Sequence, residues 1–457
     1  MDTAPAPWRE LFRGRRGRLT AGLLLLEALV AIQVLVVATI MPDVRRDLGM
    51  VQLYGLAFTV SSLATIGAIP IAGRAVDRVG ARAVLVPSLA TFAVGLLVSA
   101  TAQAMPVVLV GQFLQGAGGG GLYALSLGAI AKTYPDRLRP RVMALLASMW
   151  ILPGLIGPPI GALVATTVGW RWAFVAPIPA LMVAWILISP ALDLVPASAD
   201  GPPEHDVGTI SPALRLMLGA GLVFGSLTIV EPWALVGIVV GLLIGVPALL
   251  RLVPPGTVRA RPGPPAVGAC AFLLSAGFLA MDAFLTLMLT RVRGLSLGVA
   301  GVVITGATLT WAAGSLWQSG RAERWPLSRL ALIGVSLTMT GEVAVAVTLI
   351  SSVPVVIAYL GWAVAGAGMG IAFPTVQLSM MRVAGPGEES SLLSGVLLMD
   401  MLGVATGAGL GGAAIAIAAA TGSPLRAGIA GAFAIGLCSL LVLAGLVRRI
   451  PSGRSPG

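Results

Sequence analysis

Apolar residues run along this chain in long blocks, broken by short polar, glycine- and proline-bearing turns. The blocks fall at 19–41, 53–73, 83–104, 106–131, 142–166, 171–193, 211–230, 233–253, 266–290, 297–319, 328–351, 354–381, 392–420 and 427–447. A bilayer core about 30 Å thick needs about 20 apolar residues per helical crossing. Lipid offers no hydrogen bonds, so a crossing segment must satisfy its own backbone, and a helix does that. The pattern predicts an all-α polytopic membrane protein of fourteen spans. The first block follows Arg9, Arg13, Arg15, Arg16 and Arg18. It is too long for a signal-peptide core and other spans follow it at once, so it is expected to be retained. The turn Glu231-Pro232-Trp233 joins the seventh and eighth spans closely. The polar stretch 195–211, containing Ala-Ser-Ala-Asp-Gly-Pro-Pro-Glu-His, is expected to be a flexible connector.

Three pieces of the chain recur far along it. Gly116-Ala117-Gly118-Gly119-Gly120 returns as Gly366-Ala367-Gly368-Met369-Gly370, and Gly157-Pro158-Pro159-Ile160-Gly161-Ala162 returns as Gly407-Ala408-Gly409-Leu410-Gly411-Gly412. Gly73-Arg74-Ala75-Val76-Asp77-Arg78 returns, one residue shorter, as Gly320-Arg321-Ala322-Glu323-Arg324. Equivalent helices are then eight spans apart, an even number, so the repeats share one orientation. Six spans per half plus an inserted pair gives that offset. The expected division is 1–194 for the N-terminal half, 195–253 for the linker and inserted pair, and 254–457 for the C-terminal half. Parallel repeats of this kind build rocking secondary transporters, whose substrate site lies at mid-membrane between the halves.

Composition agrees: 57% of residues are hydrophobic and only 10% charged, with a mean hydropathy of +0.97. The net charge of +11 does not imply nucleic acid. Of the 29 Lys and Arg, all but Arg45, Arg46, Arg171, Arg291, Arg293 and Arg426 fall in the tails or in loops on one side. That asymmetry places both termini in the cytoplasm, in a cell's inner (plasma) membrane. Cys270 and Cys438 stand alone in apolar blocks and His205 stands in a polar loop, so no metal site, disulfide framework or cofactor is expected. The run Gly116–Gly121 lacks a following Gly-Lys-Ser/Thr and lies inside a span, which excludes an ATP loop. Small residues every fourth position instead predict close helix packing, and Gly157/Gly161 and Gly403/Gly407/Gly411 read the same way.

Four acids, Glu27, Asp282, Glu342 and Asp400, lie well inside spans. A charge at mid-helix costs about 2.5–3.5 kcal/mol on insertion scales, so such residues are functional or shielded. No buried Lys or Arg is expected to pair with them, since the basic residues fall at the ends of spans or in loops. A carboxyl that takes a proton facing one side and releases it facing the other is the minimal element of proton coupling. Glu27 and Gln33 are six residues apart, about 240° around a helix, so both cannot point straight into one cavity.

The stretch Gly73-Arg74-Ala75-Val76-Asp77-Arg78-Val79-Gly80-Ala81-Arg82, between the second and third spans, resembles the signature loop of the major facilitator superfamily. Gly157-Pro158 with Gly161 in the fifth span, and Trp170-Arg171-Trp172-Ala173-Phe174 after it, resemble that superfamily's fourteen-span drug–proton antiporters. The resemblance covers essentially the whole chain. Departures are Gln112 where the fourth-span signature carries arginine, Pro153 and Ala162 where the fifth-span motif has glycine, and Gln33 where these exporters often carry an acid.

The resemblance implies two six-helix halves with the first and ninth spans lining the cavity and the thirteenth at their interface. Asp282 and Asp400, then Glu27, become the candidate proton-coupling acids, whereas Glu342 falls at the periphery as a packing residue. Gln33, Gln112, Gln115, Trp150, Trp311, Trp362 and Met281 are the candidate cavity lining, with Met399 and Met401 near them. Trp150 and Asp400 occupy equivalent repeat positions. Gly73, Arg74, Asp77, Arg78, Gly80 and Arg82 form a candidate cytoplasmic gate, with Asp77 latched to the start of the thirteenth span near Ser390 and Ser391. Gly157, Pro158, Gly161, Gly407 and Gly411 form the candidate helix-packing motif. The function implied is proton-coupled export of hydrophobic or amphipathic small molecules by a monomer in contact with membrane lipid, without ATP and not an enzyme. Alternatives are a dedicated carrier of one metabolite, siderophore or lipid, and a non-transporting membrane sensor.

Overall fold

The computed structural model describes residues 11–135, 138–195, 204–229, 231–383 and 389–450, and all regular structure among them is helical. In chain order the helices are α1 (Gly14–Leu48), α2 (Tyr54–Val79), α3 (Arg82–Ala100), α4 (Met105–Thr133), α5 (Arg139–Ser148), α6 (Ile151–Thr167), α7 (Trp170–Val175) and α8 (Ile178–Ile188). They continue with α9 (Glu204–Leu227), α10 (Ala234–Leu252), α11 (Pro264–Leu287), α12 (Leu297–Ser319), α13 (Leu327–Val347), α14 (Val356–Val383), α15 (Glu389–Ala420) and α16 (Leu425–Leu446).

Twelve helical segments among the described residues are long and apolar enough to cross a membrane, against the fourteen expected. Two expected spans account for the difference. Helix α4 has 29 residues, ample length, but five of the six residues 116–121 are glycine and dilute its hydropathy. The block 142–166 is broken at a turn, Met149–Trp150, which leaves α5 short and α6 with 17 residues. Helices α7 and α8, with the tight turn that follows, form one apolar segment, Trp170–Leu194. The connector expected at 195–211 is shorter than that: α9 begins at Glu204, and residues 196–203 lie outside the described residues.

The chain forms two compact units, Met1–Val37 with Ala64–Leu214, and Ala38–Leu63 with Arg215–Gly457. In the first, α3 and α4 cross in glycine-to-backbone contact. A Cβ at Gly95 would stand 2.7 Å from the Gly111 carbonyl oxygen, and one at Gly118 would stand 2.5 Å from the Phe92 nitrogen. In the second, α13 meets α14 through Gly334, Gly361 and Gly368, and α11 meets α15 through Gly403 and Gly407. Helices α9 and α10 cross at Gly219, Gly241 and Gly245.

The second unit also takes in the α1–α2 turn. A Cβ at Gly55 would lie 2.5 Å from the Ala408 carbonyl oxygen and 2.6 Å from Gly412 Cα. Thr59 Oγ1 donates to the Ala405 carbonyl at 3.1 Å, and Arg291 reaches the Pro42 carbonyl at 3.3 Å.

Neighbouring glycines in α4 separate packing from mere composition. Gly118→Ala pushes a methyl into the α3 backbone and is expected to destabilise by about 1–3 kcal/mol, the usual cost of overpacking. At Gly119 the nearest atom to an added Cβ is 3.8 Å away. Gly119→Ala is therefore expected to be neutral or to stabilise by up to about 1 kcal/mol, the helix-interior cost of glycine. Thermal unfolding of the two variants in detergent checks this; equal melting temperatures would remove glycine contact as the reason for the run.

Candidate membrane-embedded site

In the first unit, Glu27 of α1 accepts a hydrogen bond from Trp150 Nε1 at 2.9 Å. Trp150 sits at the break between α5 and α6 and is 41% exposed, so the indole pins a joint to a part-buried carboxyl rather than filling a core. The sequence placed both residues in the candidate site but did not pair them. Gln33 is buried with neither amide atom hydrogen-bonded, and the Gln112 Nε2 is likewise buried without a partner. An unsatisfied buried amide costs about 1–3 kcal/mol, so each is a polar group that the packing leaves uncompensated. Gln115 is different: its amide donates to Ser99 Oγ at 3.0 Å and to the Gly95 carbonyl at 3.3 Å, which makes it part of the α3–α4 seam.

The loop after α2 is built around an ion pair. Asp77 meets Lys132 Nζ of α4 at 2.8 Å, and the same ammonium donates to the Val76 carbonyl at 3.3 Å. Gly80 has φ +85°, the left-handed conformation that ends α2 and that side chains rarely adopt. Gly73 has open space where a Cβ would go, and Arg78 and Arg82 are exposed. The Arg74 Nε is buried without a partner. The expected partners of Asp77, the side chains of Ser390 and Ser391, lie outside the described residues. Lys132 was legible only as a topology signal, because its pairing depends on how α4 packs on α2.

The repeated loop in the second unit is held differently. The Arg321 guanidinium lies 4.1 Å from the Trp317 ring centroid, Arg329 lies 4.5 Å from that of Trp325, and the two indoles meet edge-on at 5.7 Å. Arg382 donates to the Ala322 carbonyl at 2.9 Å. Glu323, at the acid's position, is exposed.

Asp400 of α15 is 8% exposed and accepts a hydrogen bond from Ser275 Oγ of α11. Asp282 lies seven residues beyond Ser275 on α11, about 10 Å along the axis at 1.5 Å per residue. The two carboxyls therefore stand at different depths and do not form one constellation. Asp282 is part-buried and, with Arg45, acts electrostatically on Tyr54, whose buried hydroxyl has no hydrogen-bond partner. Glu342 of α13 is fully buried with both oxygens unpartnered, against Gly436 of α16.

Trp362 and Trp311 join an aromatic cluster whose other members the sequence did not single out. Phe278 stacks on Trp362 at 4.6 Å and 12°, and meets Trp311 edge-on at 5.6 Å; Trp311 meets Phe373 at 6.0 Å. Trp362 and Met281 are completely buried, and the Trp362 Nε1 has no partner. In the repeated packing motif the two halves also differ. Added Cβ atoms at Gly407 and Gly411 would collide with the Ala276 carbonyl and the Phe284 ring, whereas the nearest atom at Gly161 is 3.2 Å away and at Gly157, which leads into Pro158, 3.7 Å. No group of three potential metal ligands occurs among the described residues.

The chain is 29% identical over 430 residues, 89% of each chain, to a probable multidrug-efflux transporter of Mycobacterium tuberculosis. It is 28% identical over 436 residues, 86% of this chain and 83% of the relative, to a probable triacylglyceride transporter of Mycobacterium leprae. Its fold is similar to the crystal structure of an auto-inhibited POT-family peptide transporter, with a TM-score of 0.70 at 15% identity, covering 96% of this chain and 99% of that one. The profile of the Major Facilitator Superfamily matches residues 23–264. This multi-pass, all-helical chain with its signature loop and repeated glycine seams belongs to the Major Facilitator Superfamily of membrane transporters.

Proposed function

We propose that the chain exports hydrophobic or amphipathic small molecules in exchange for protons, by alternating access. The observation that carries this reading is a set of carboxyls at membrane depth with no described ion pair: Asp400 bonded only to a hydroxyl, Asp282, and Glu27 bonded to an indole. A carboxyl in hydrocarbon is tolerated when it can take up a proton, and its release then depends on access to water. The multidrug-efflux description of a relative that matches 89% of the chain supports the substrate class. Within the second unit, the apolar cluster of Met281 and aromatic rings with the unbonded Trp362 indole suits loosely specific binding, and within the first unit Gln33 and Gln112 carry unbonded amides. A dedicated lipid carrier is the second reading, favoured by the relative described as a triacylglyceride transporter.

The topology we propose has fourteen spans: the twelve segments, α4, and α5 with α6 as one broken span. It has halves at 1–194 and 254–457, the inserted pair at 195–253, and both termini in the cytoplasm. The polar linker around Asp200 and the turn at Glu231 should then lie on opposite faces. Single cysteines at the two places, in a cysteine-free background, are expected to label with a membrane-impermeant reagent from inside only and outside only. Labelling of both from one side overturns the inserted-pair topology.

Proton coupling is tested in proteoliposomes under an imposed pH gradient. Asp282→Asn and Asp400→Asn keep shape and most hydrogen bonding but cannot titrate. Each is expected to abolish gradient-driven accumulation while leaving downhill exchange measurable. The effect at stake is about 2.3 kcal/mol per charge for each 100 mV, roughly fiftyfold in substrate concentration at a factor of ten per 1.4 kcal/mol. Glu27→Gln and Glu342→Gln belong in the same vesicles. Full gradients in both Asn variants, with failure only in Glu27→Gln, move the coupling to α1 and reject this assignment.

A further inference from the structure

The basic segment before α1 does more than mark topology. Leu11 is fully buried, and the chain at Phe12 lies so close to α1 that a Cβ at Gly17 would collide with the Phe12 backbone. Thr20 holds this fold-back: its hydroxyl bonds the Leu11 carbonyl at 2.8 Å, the Arg16 carbonyl at 2.9 Å and the Tyr134 hydroxyl at 2.7 Å. Tyr134, just past the end of α4, is fixed in turn by Arg139 Nε on its carbonyl at 3.0 Å. Thr133 Oγ1 bonds the Leu194 carbonyl at 3.2 Å. Three segments distant in sequence are thus tied together, and between them lies a cavity of about 500 Å³ lined by Arg13, Arg15, Arg16 and Leu194.

That cavity is electropositive, and no acidic side chain lines it among the described residues. None of Arg13, Arg15, Arg16 or Arg18 forms an ion pair among the described residues. The Arg16 Nε is buried without a hydrogen-bond acceptor, and its guanidinium carbon lies 6.0 Å from the Tyr134 ring centroid. The first turn of α1 holds no acid; Asp193, beside Leu194, is exposed. Next to Arg13 in the chain, Phe12 is 51% exposed, an apolar ring left uncovered beside the arginines.

We propose that this cavity binds the phosphate of an anionic phospholipid head group, with Arg13, Arg15 and Arg16 as its donors and Phe12 against the acyl chains. Guanidinium forks match phosphate oxygens in geometry and charge, and basic clusters flanking a span attract anionic lipid. The lipid is preferred to a soluble anion because the cavity opens next to an exposed aromatic side chain at the membrane boundary. Assigning this face to the inner leaflet rests on the proposed topology. Lipid selectivity read in micelles has no sidedness, so a wrong orientation and a wrong site give different results.

The experiment is native mass spectrometry of the purified protein in detergent with equimolar dioleoyl phosphatidylglycerol and dioleoyl phosphatidylcholine. The wild type is expected to retain the anionic lipid preferentially. Arg13→Gln/Arg15→Gln/Arg16→Gln should reduce that retention on the order of a hundredfold, from the typical contribution of each basic residue near an anionic surface. Arg15→Gln alone removes an exposed side chain without disturbing packing, and is expected to cost about fivefold. A control that removes three charges elsewhere on the same face, Arg251→Gln/Arg261→Gln/Arg448→Gln, should retain the lipid as the wild type does. Equal retention of both lipids by the wild type, no change in Arg15→Gln, or equal loss in the control overturns the site. Displacement of the lipid by millimolar inorganic phosphate at constant ionic strength overturns the lipid as its occupant.

Discussion

Helices in hydrocarbon gain almost nothing by hiding apolar side chains from one another, because lipid tails solvate leucine as well as leucine does. What remains is close approach, and close approach needs places where no side chain intervenes. This constraint runs through both units. Backbone meets backbone at Gly95 and Gly111, at Gly341 and Gly361, and at Gly55 and Gly412, and each crossing is short enough that one added carbon would displace it. The pair α9–α10 obeys the same rule while leaving its other faces exposed: Gly219 and Gly241 touch, whereas Leu243 is 70% exposed. It also reaches α15, where the Phe224 ring lies in the space a Gly409 side chain would need.

Such seams leave few places for polarity, and the polar groups that persist are concentrated. Those that have been satisfied, such as Gln115 on Ser99 and Thr59 on the Ala405 carbonyl, tie helices together. Those left unsatisfied, Gln33, Gln112, Glu342 and the Trp362 indole, are costs the fold carries without return in this state. A transporter has a use for unsatisfied groups, since a substrate that bonds them recovers part of that cost.

Much of the architecture was legible because period and composition are local properties. Long apolar blocks, the glycine repeats at 116–120 and 366–370, and the loop at Gly73–Arg82 follow from neighbouring residues alone. Helix α4 shows the limit of that reading: its glycines both mark the seam and pull its hydropathy below that of an ordinary span. The break at Met149–Trp150 was hidden for a similar reason, since an apolar run gives no sign of a bend. Partnerships were the least legible. Lys132 with Asp77, Trp150 with Glu27 and Ser275 with Asp400 join residues 55, 123 and 125 positions apart, and nothing local distinguishes these side chains from others of their type. Of the four acids the sequence singled out, Glu342 and Asp400 are buried and Glu27 and Asp282 are part-buried, a difference set by how their helices pack.

The two copies of the loop after the second helix of each half have become different fasteners. One joins a carboxylate to an ammonium, Asp77 to Lys132; the other lays Arg321 and Arg329 on the indoles of Trp317 and Trp325. A carboxylate–ammonium pair is a directional contact between two opposite charges, whereas a guanidinium laid on an aromatic face is a broad contact that carries only one. Dissolved salt therefore acts unequally on positions that read as duplicates in the sequence: small ions compete with both members of one clasp, and with only the cation of the other.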